Sequence, residues 1–196
     1  MSALRLTRRS SLLLPFLLAA CGGDEPVVYK PLRYEYLRPI DLNVKAIDFE
    51  QRFVPSGVAP DISGQCPVDP VATLRQMGDD RLKPLGGSGR AVFSISDASL
   101  IRREDLIRGS LEVTVEVLTD DGQHVGYAQA RVSRSHRGRV DDLRKLLYDT
   151  VSGMMNDMNV ELEFQIRNNL KSWLAVEGNA APTPVEAAPL AAPLGR

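Results

Sequence analysis

Hydrophobic and polar residues alternate in four stretches of the chain, which is the pattern of a strand with one buried face. The first stretch runs from Ile40 to Ala46, and the second begins near Arg90. The third and fourth cover residues 111–117 and 126–132. The pattern therefore predicts a sheet of about four strands.

The third and fourth strands are predicted to form a hairpin. Asp121 and Gly122 lie between them, and this dipeptide favours a two-residue turn. With a tight turn, the numbers of facing residues sum to 243, as 111 and 132 do. The pairs on the apolar face are then Leu111 with Val132, Val113 with Ala130, Val115 with Ala128, and Val117 with Gly126. The opposite face, which suits solvent, pairs Glu112 with Arg131, Thr114 with Gln129, and Glu116 with Tyr127.

Two segments have the periodicity of a helix. Asp69 can cap a helix that begins at Pro70 and ends before Pro84. Its apolar side is formed by Val71, Leu74, Gly78 and Leu82. Residues 140–174 form the second helical segment, with an apolar stripe of Leu143, Leu147, Val151, Met154, Met158, Leu162, Ile166, Leu170 and Trp173. Asn159 either continues this helix or divides it into two.

The elements follow one another in the order β-α-β-β-β-α. This order predicts an α+β fold over residues 40–174, in which two helices pack on one face of an antiparallel sheet of about four strands. Residues 175–196 are rich in Ala and Pro and contain few large apolar side chains, so they are predicted to be a disordered tail.

The composition suits a single globular domain. The chain has 196 residues, of which 43% are hydrophobic and 25% are charged. Its formal net charge of −1 argues against a nucleic-acid partner, because nucleic-acid-binding proteins usually carry a strong basic excess.

The first twenty residues have the three parts of an export signal. Arg5, Arg8 and Arg9 form a basic start, residues 12–18 are apolar, and small residues precede Cys21. The apolar stretch is shorter than the roughly 20 residues that span a bilayer. Leu18-Ala19-Ala20-Cys21 resembles the lipobox of bacterial lipoproteins. The resemblance implies that residues 1–20 are removed as a signal peptide, and that Cys21 is acylated and anchors the protein to a membrane.

Two details of the signal bear on its route and destination. Thr7-Arg8-Arg9-Ser10-Ser11-Leu12 also resembles a twin-arginine signal, so export uses either the Sec or the twin-arginine pathway. Gly22 follows the cysteine at a position where inner-membrane retention in enteric bacteria often relies on Asp. The family's sorting rule therefore predicts the periplasmic face of the outer membrane, with that of the inner membrane as the alternative.

Residues 21–39 are predicted to be the lipid anchor and an extended tether, because Pro26, Pro31 and Pro39 interrupt a polar segment. The tether also carries aromatic residues, namely Tyr29, Tyr34 and Tyr36. These side chains either dock on the domain, lie among lipid headgroups or meet a partner.

Two further resemblances concern the body of the protein. Residues 70–99, with Leu74-Arg75-Gln76, Asp80-Arg81-Leu82 and Gly87-Ser88-Gly89-Arg90, resemble uncharacterised envelope lipoproteins of alphaproteobacteria. The order of elements is similar to that of the auxiliary lipoproteins of lipid-transport ABC systems. Neither resemblance implies a catalytic residue.

The residues that could carry chemistry are few. His124 and His136 lie at opposite ends of one predicted strand without ligands at metal-binding spacing, so we expect surface histidines and no metal or other cofactor. Cys66 is either buried or free to pair with another chain. The cluster of Met154, Met155 and Met158 either fills the core or forms a docking surface. No convergent reactive set is visible, and we expect the protein not to be an enzyme.

One cluster suits an anionic group. Four arginines lie near the end of the last predicted strand, together with His136: Arg131, Arg134, Arg137 and Arg139. They either bind phosphate on a lipid headgroup, on lipopolysaccharide or on a partner, or form a solvated edge that discourages strand pairing.

We therefore expect a lipid-anchored, non-enzymatic accessory protein of the cell envelope. Its partners would be the membrane, through acylated Cys21, and an envelope protein complex that transports or assembles outer-membrane components. The alternative is a periplasmic module that binds a lipid or other amphiphile between sheet and helix, because Gly126, Ala128 and Ala130 leave space on the inner face.

Overall fold

The computed structural model describes residues 27–175. The predicted signal peptide, the predicted lipidation site Cys21 and nearly all of the predicted tail lie outside the described residues. The predictions made for those segments therefore stay predictions.

Within this range the chain forms six strands and two α-helices. In chain order they are β1 (Ile40–Leu42), β2 (Ala46–Gln51), α1 (Pro70–Arg81), β3 (Leu82–Pro84), β4 (Arg90–Arg103), β5 (Leu106–Leu118), β6 (His124–Arg137) and α2 (Leu143–Asn169). Single turns of 3-10 helix lie at Ser63–Gln65 and Lys171–Trp173.

The main sheet has the order β2-β4-β5-β6, and both helices cover the face that contains Phe93, Val115 and Ala128. The predicted α+β fold is confirmed. The sheet is mixed, however, because β2 is parallel to β4 whereas the other neighbours are antiparallel. A parallel pair needs a long crossover, and α1 supplies it between β2 and β4.

The first predicted strand is divided in two. Residues 43–45 leave the strand conformation, since the Asn43 amide donates to the Trp173 carbonyl (2.7 Å) and the Lys45 amide donates to Gly89 (3.0 Å). As a result, β1 pairs with β3 in a separate two-stranded parallel sheet, while β2 joins the main sheet.

The register of the predicted hairpin is confirmed, but its turn is not tight. All predicted pairs from Leu111–Val132 to Val117–Gly126 are present. The loop has three residues instead of two, because the Thr119 amide donates to Gln123 (3.0 Å) and Gly122 has a φ of +83°. The residues paired at the tip, Leu118 and His124, therefore have numbers that sum to 242. An extra residue in β6, next to His124, brings the sum back to 243 for the remaining pairs.

The opposite face of the hairpin is less open than predicted. Glu112 is 8% exposed and Thr114 is 4% exposed. Long side chains of the edge strand β6 cover these two residues. Gln129 donates to Glu112 (2.7 Å), and Arg131 pairs with the same carboxylate. Charged side chains therefore cover the centre of this face.

Each α-helix begins directly after an aspartate that caps its first turn. The Asp69 carboxylate accepts from the Val71 amide (2.9 Å), as the sequence predicted. The longer helix begins three residues later than the predicted segment, at Leu143, because Asp142 caps it. It continues unbroken through Asn159 to Asn169, so the single-helix alternative is the correct one.

The core lies between the helices and the main sheet. Met154, Met155 and Met158 are fully buried in it, which confirms the core interpretation of the methionine cluster. Cys66 is half-buried against the core, and burial raises the pKa of its thiol. No helix within residues 27–175 combines the length and the apolar character needed to cross a bilayer.

Candidate partner-binding site

The predicted tether lies along the helices from Tyr29 onward. The Tyr29 ring packs on that of Tyr148 in α2, with 5.0 Å between the centroids, and the Tyr148 hydroxyl donates to the Lys30 carbonyl (3.0 Å). Tyr34 is buried in the core, whereas Tyr36 remains exposed. Docking on the domain is therefore confirmed for Tyr29 and Tyr34.

Asp80 at the end of α1 holds this segment in place. Its carboxylate accepts from the Tyr34 amide (2.8 Å), from the Gln76 side chain (2.8 Å) and from the Arg33 guanidinium (3.3 Å). Burial alone would raise the pKa of the Asp80 carboxyl, but these hydrogen bonds and the Arg33 charge hold that pKa below its usual value. Folding therefore stabilises the ionised form of Asp80.

Acid is expected to release the tether, because a carboxyl whose pKa is lower in the folded state stabilises the fold only while ionised. Its contribution is complete above the ordinary aspartate pKa of about 3.9 and is lost as the pH falls through the lower folded-state pKa. Asp80→Asn should cost about 1 kcal/mol at neutral pH and should reduce this acid sensitivity.

Hydrogen exchange at the Tyr34 amide, measured together with urea unfolding across the acidic range, checks this expectation. Asp79→Asn is the matched control, since Asp79 is the exposed neighbour of Asp80. Equal acid sensitivity in the wild type and Asp80→Asn would contradict the assignment.

A buried cation joins the two helices next to the tether. Arg81, the last residue of α1, donates to the Asn159 side chain (3.1 Å) and to the Glu163 carboxylate (2.6 Å). Asn159 in turn donates to the Met155 carbonyl (2.8 Å). The Arg81 Nε is buried and has no hydrogen-bond partner among residues 27–175.

Glu163 balances the charge of this cluster. Burial would raise the pKa of its carboxyl, but hydrogen bonds from Arg167 and Arg81, together with their positive charges, hold that pKa below its usual value. Glu163 is therefore ionised at neutral pH, and the guanidinium of Arg81 is not left with an uncompensated charge.

The Arg81 cluster lines a cavity between the tether and α2. The cavity has a volume of about 270 Å³ and is lined by Tyr36, Leu37, Arg81, Asn156, Asn159, Val160 and Glu163. Its rim carries large exposed side chains, because Tyr36 is 75% exposed and Val160 is 73% exposed. Phe164, one helical turn after Val160, is 58% exposed. We call Tyr36, Val160 and Phe164 the apolar rim.

The pattern of the sequence alone does not reveal this site. On sequence alone, Asn159 is only a candidate break in the helix, and Arg81 is only part of the segment that resembles alphaproteobacterial lipoproteins. One signal was available, because Asn159 and Glu163 are four residues apart and therefore lie on the same side of a helix.

The structure does not bring the four predicted arginines into one site. Arg131 and Arg134 are three residues apart on β6 and therefore lie on opposite faces. Arg131 pairs with Glu112 on the open face of the sheet. Arg134 pairs with Asp157 of α2 (2.7 Å) on the other face.

The other two arginines lie at the end of β6. Arg139 pairs with Asp141 (3.0 Å) in the following loop. Arg137 is the last residue of β6, is exposed, and makes no ion pair within residues 27–175. The neighbouring Gly138 amide donates to the Asp105 carbonyl (2.9 Å), so these arginines lie beside the turn between β4 and β5. Anion binding by this pair remains a prediction.

The histidines have no common site. His124 is largely exposed at the start of β6 and contacts the Glu116 carboxylate (3.2 Å). His136 lies at the other end of β6, and its Nε2 is buried without a hydrogen-bond partner in the described range. Residues 27–175 contain no group of three or more His, Cys, Asp or Glu side chains arranged to hold a metal ion.

The small residues between sheet and helix are filled by helix side chains. A Cβ atom at Gly126 would lie 2.6 Å from Leu170 Cδ2, and one at Gly109 would lie 2.6 Å from Met154 Cε. Ala128 and Ala130 are fully buried in the same layer. Tight helix packing therefore accounts for the small side chains that motivated an amphiphile site.

Comparisons with known proteins give distant similarities only. No protein-family model matches the chain, and no curated protein matches it significantly. Among solved structures, the lipoprotein GNA1162 from Neisseria meningitidis is 8% identical, over 61% of this chain and 98% of that one, with a TM-score of 0.27. A presumed lipoprotein from Caulobacter crescentus is 12% identical, over 61% of this chain and 89% of that one, with a TM-score of 0.29. TM-scores this low carry no argument about fold or function, although both proteins are described as lipoproteins.

Proposed function

We propose that this chain is a lipid-anchored, non-enzymatic accessory protein of the cell envelope that binds a protein partner. The anchor would be acylated Cys21, and the location the periplasmic face of the outer membrane. The partner would belong to a complex that transports or assembles outer-membrane components. The apolar rim around the Arg81 cavity is the observation that supports partner binding.

The apolar rim differs from apolar residues scattered singly over a surface. Val160 and Phe164 are adjacent on one face of α2, and Tyr36 and Val160 line the same cavity. A group of large exposed apolar side chains rimmed by polar residues is typical of a protein interaction site. Aromatic side chains such as Tyr36 and Phe164 are also enriched in such interfaces.

The floor of the cavity adds specificity to this surface. Arg81 and Asn159 are buried, and their polar groups are held in place by hydrogen bonds between α1 and α2. A partner would therefore place an apolar side chain on the rim and a hydrogen-bond acceptor towards the cavity. A fixed polar floor discriminates between partners more strongly than an apolar surface alone, because mismatched partners leave polar groups unpaired.

Photo-crosslinking in cells tests the proposal. A photoreactive residue at Val160 or at Phe164 is expected to capture the same envelope protein. Val58, which is 67% exposed on the loop after β2, is the matched control and should not capture it. Val160→Lys should also abolish copurification of that protein after gentle solubilisation.

Two results would overturn partner binding at this site. One is recovery of the protein alone from crosslinked membranes. The other is equal capture from Val58 and Val160, which would indicate random encounters. The lipid anchor is tested separately, by mass analysis of the mature amino terminus and incorporation of labelled palmitate.

A further inference from the structure

The docked tether determines which end of the domain lies nearest the anchor. Tyr29 packs on Tyr148, in the second turn of α2. Leu37 lines the cavity near the middle of α2, and Pro39 lies beside Arg167 near its end. The tether therefore runs parallel to α2, and the chain enters the domain at the end where α2 begins.

The segment between this end and the predicted lipidation site is short. Tyr29 is eight residues after Cys21. A fully extended chain covers at most about 3.6 Å per residue, so Tyr29 can lie no more than about 29 Å from Cys21. If Cys21 carries the lipid, the end of the domain where α2 begins must stay close to the membrane surface.

This end of the domain carries a group of exposed basic side chains. Three elements meet there, because Leu106 after the β4–β5 turn pairs with both Arg103 and Arg137, and the β6–α2 loop follows Arg137 directly. The exposed basic residues at this end are Lys30, Arg102, Arg103, Arg137, Arg139, Arg144 and Lys145. We call these residues the basic end.

Acidic side chains at this end are mostly engaged in local contacts. The acidic residues at this end are Glu104, Asp105, Asp141, Asp142 and Asp149, together with Asp61, whose backbone bridges to Ile101, and Asp69, which lines the same pocket as Tyr29. Asp141 pairs with Arg139, Asp149 pairs with Lys145, and Asp142 caps α2. The seven acidic side chains thus equal the seven basic ones in number, but Arg102, Arg103 and Arg137 are exposed and make no ion pair within residues 27–175.

We propose that the basic end binds the phosphate groups of anionic phospholipids in the membrane to which the protein is anchored. The inference rests on the proposed lipid anchor, which brings this end to the surface. Arg137 and Arg139 of the predicted anion-binding cluster belong to the basic end, whereas Arg131 and Arg134 lie elsewhere on β6. Arginine and lysine side chains near an anionic bilayer are attracted to its surface within about one Debye length.

The orientation also leaves the apolar rim accessible. Val160 and Phe164 lie in the second half of α2, away from the end where the helix begins. The domain would therefore rest on headgroups with the basic end and present the Arg81 cavity sideways, above the membrane surface.

Hydrogen exchange of the lipidated full-length protein in vesicles tests the contact. One vesicle type contains phosphatidylcholine alone, and the other contains phosphatidylcholine with phosphatidylglycerol. Acyl chains hold the protein in both, so only the headgroup contact differs. We expect exchange in residues 102–106 and 137–145 to be several-fold slower in the anionic vesicles and to recover in high salt.

Two charge-removal variants complete the experiment. Arg103→Ala, Arg137→Ala and Arg139→Ala combined should abolish the slower exchange. The matched control combines Lys45→Ala, Lys83→Ala and Lys171→Ala, whose positions lie towards the opposite end of the domain, and it should retain the effect. Retention of the effect in the arginine variant would overturn the proposal.

Mass analysis of the same preparation separates two kinds of failure. An unmodified Cys21 would overturn the lipid anchor and with it the orientation. A lipidated Cys21 with equal exchange in both vesicle types would overturn the headgroup contact alone, and the accessory function would be unaffected.

Discussion

Replacing Glu163 with glutamine is expected to lower the free energy of unfolding by about 2–3 kcal/mol. Glu163 pairs with Arg81 (2.6 Å), which is almost fully buried at the junction of α1, α2 and the tether. Removing one partner of a buried ion pair costs about 3–5 kcal/mol, because the remaining charge is left unbalanced. We expect the lower figure because Glu163 is partly exposed, so water screens part of the Arg81 charge.

Glu161→Gln is the matched control for this substitution. Glu161 lies two residues earlier on the same helix and, among the described residues, accepts a side-chain hydrogen bond only from Gln165, four residues later. It should change stability by less than about 0.5 kcal/mol, which is typical of surface substitutions. Urea unfolding of both variants at neutral pH measures the difference. Similar losses in the two variants would show that the Arg81–Glu163 pair does not stabilise the junction.

The hairpin shows what alternation alone can predict. Because successive side chains point to opposite faces, a shift of one residue would expose Leu111, Val113 and the other apolar residues of β5. The burial pattern therefore excludes a shift of one residue, and the position of the turn selects among the remaining registers, which differ by two. This explains why the pairs are correct although the two-residue turn is wrong, since the extra residue near His124 compensates for the longer loop.

Alternation could not reveal the parallel pairing of β2. Residues 40–46 and 46–51 are continuous in sequence, and the break between them depends on hydrogen bonds to Trp173 and Gly89 from distant segments. The position of β2 beside β4 likewise depends on how α1 crosses over the sheet. Such contacts are set by tertiary packing and leave no local periodicity.

The two surfaces differ in how far the sequence could predict them. The separation of Arg131 from Arg134 follows from the strand period, because an odd spacing places them on opposite faces. The apolar rim could not be predicted, since Val160 and Phe164 alone resemble ordinary exposed residues of an amphipathic helix. They become notable only because Tyr36 of the tether lies against the same cavity as Val160.

Together, the tether, the cavity and the basic end give the proposed function a spatial arrangement. Asp80 and Tyr148 hold the tether against the helices from Tyr29 onward, so the proposed anchor would be joined to the domain only by the residues that precede Tyr29. Under the proposed anchoring, a partner that reaches the apolar rim would approach alongside the membrane. Tyr36 and Leu37 of the tether form one wall of the cavity. If the tether were released from the helices, the cavity would lose this wall.

Gly78→Val is expected to destabilise the domain by about 1–3 kcal/mol, the usual cost of overpacking a core. Gly78 lies in α1 where the helix crosses the aromatic pair of Phe49 and Phe93, whose ring centroids are 5.6 Å apart. A Cβ atom at position 78 would lie 2.7 Å from Phe49 Cε1 and 3.2 Å from Phe93 Cε1. Helix propensity acts in the opposite direction, because valine is the better helix former by a few tenths of a kcal/mol.

The sign of the change in stability therefore shows which effect is larger. A loss of stability indicates that α1 packs closely on the sheet, whereas a gain indicates that helix propensity outweighs any crowding. Ala72→Val places the same side chain at an exposed position of α1 and should cost only about 0.6 kcal/mol, the difference in helix propensity. Thermal and urea unfolding of both variants provide the measurement. A Gly78→Val protein at least as stable as the wild type would mean that α1 does not rest on Phe49 and Phe93. In that case Arg81, three residues further along the helix, would not be held at the floor of the cavity by this packing.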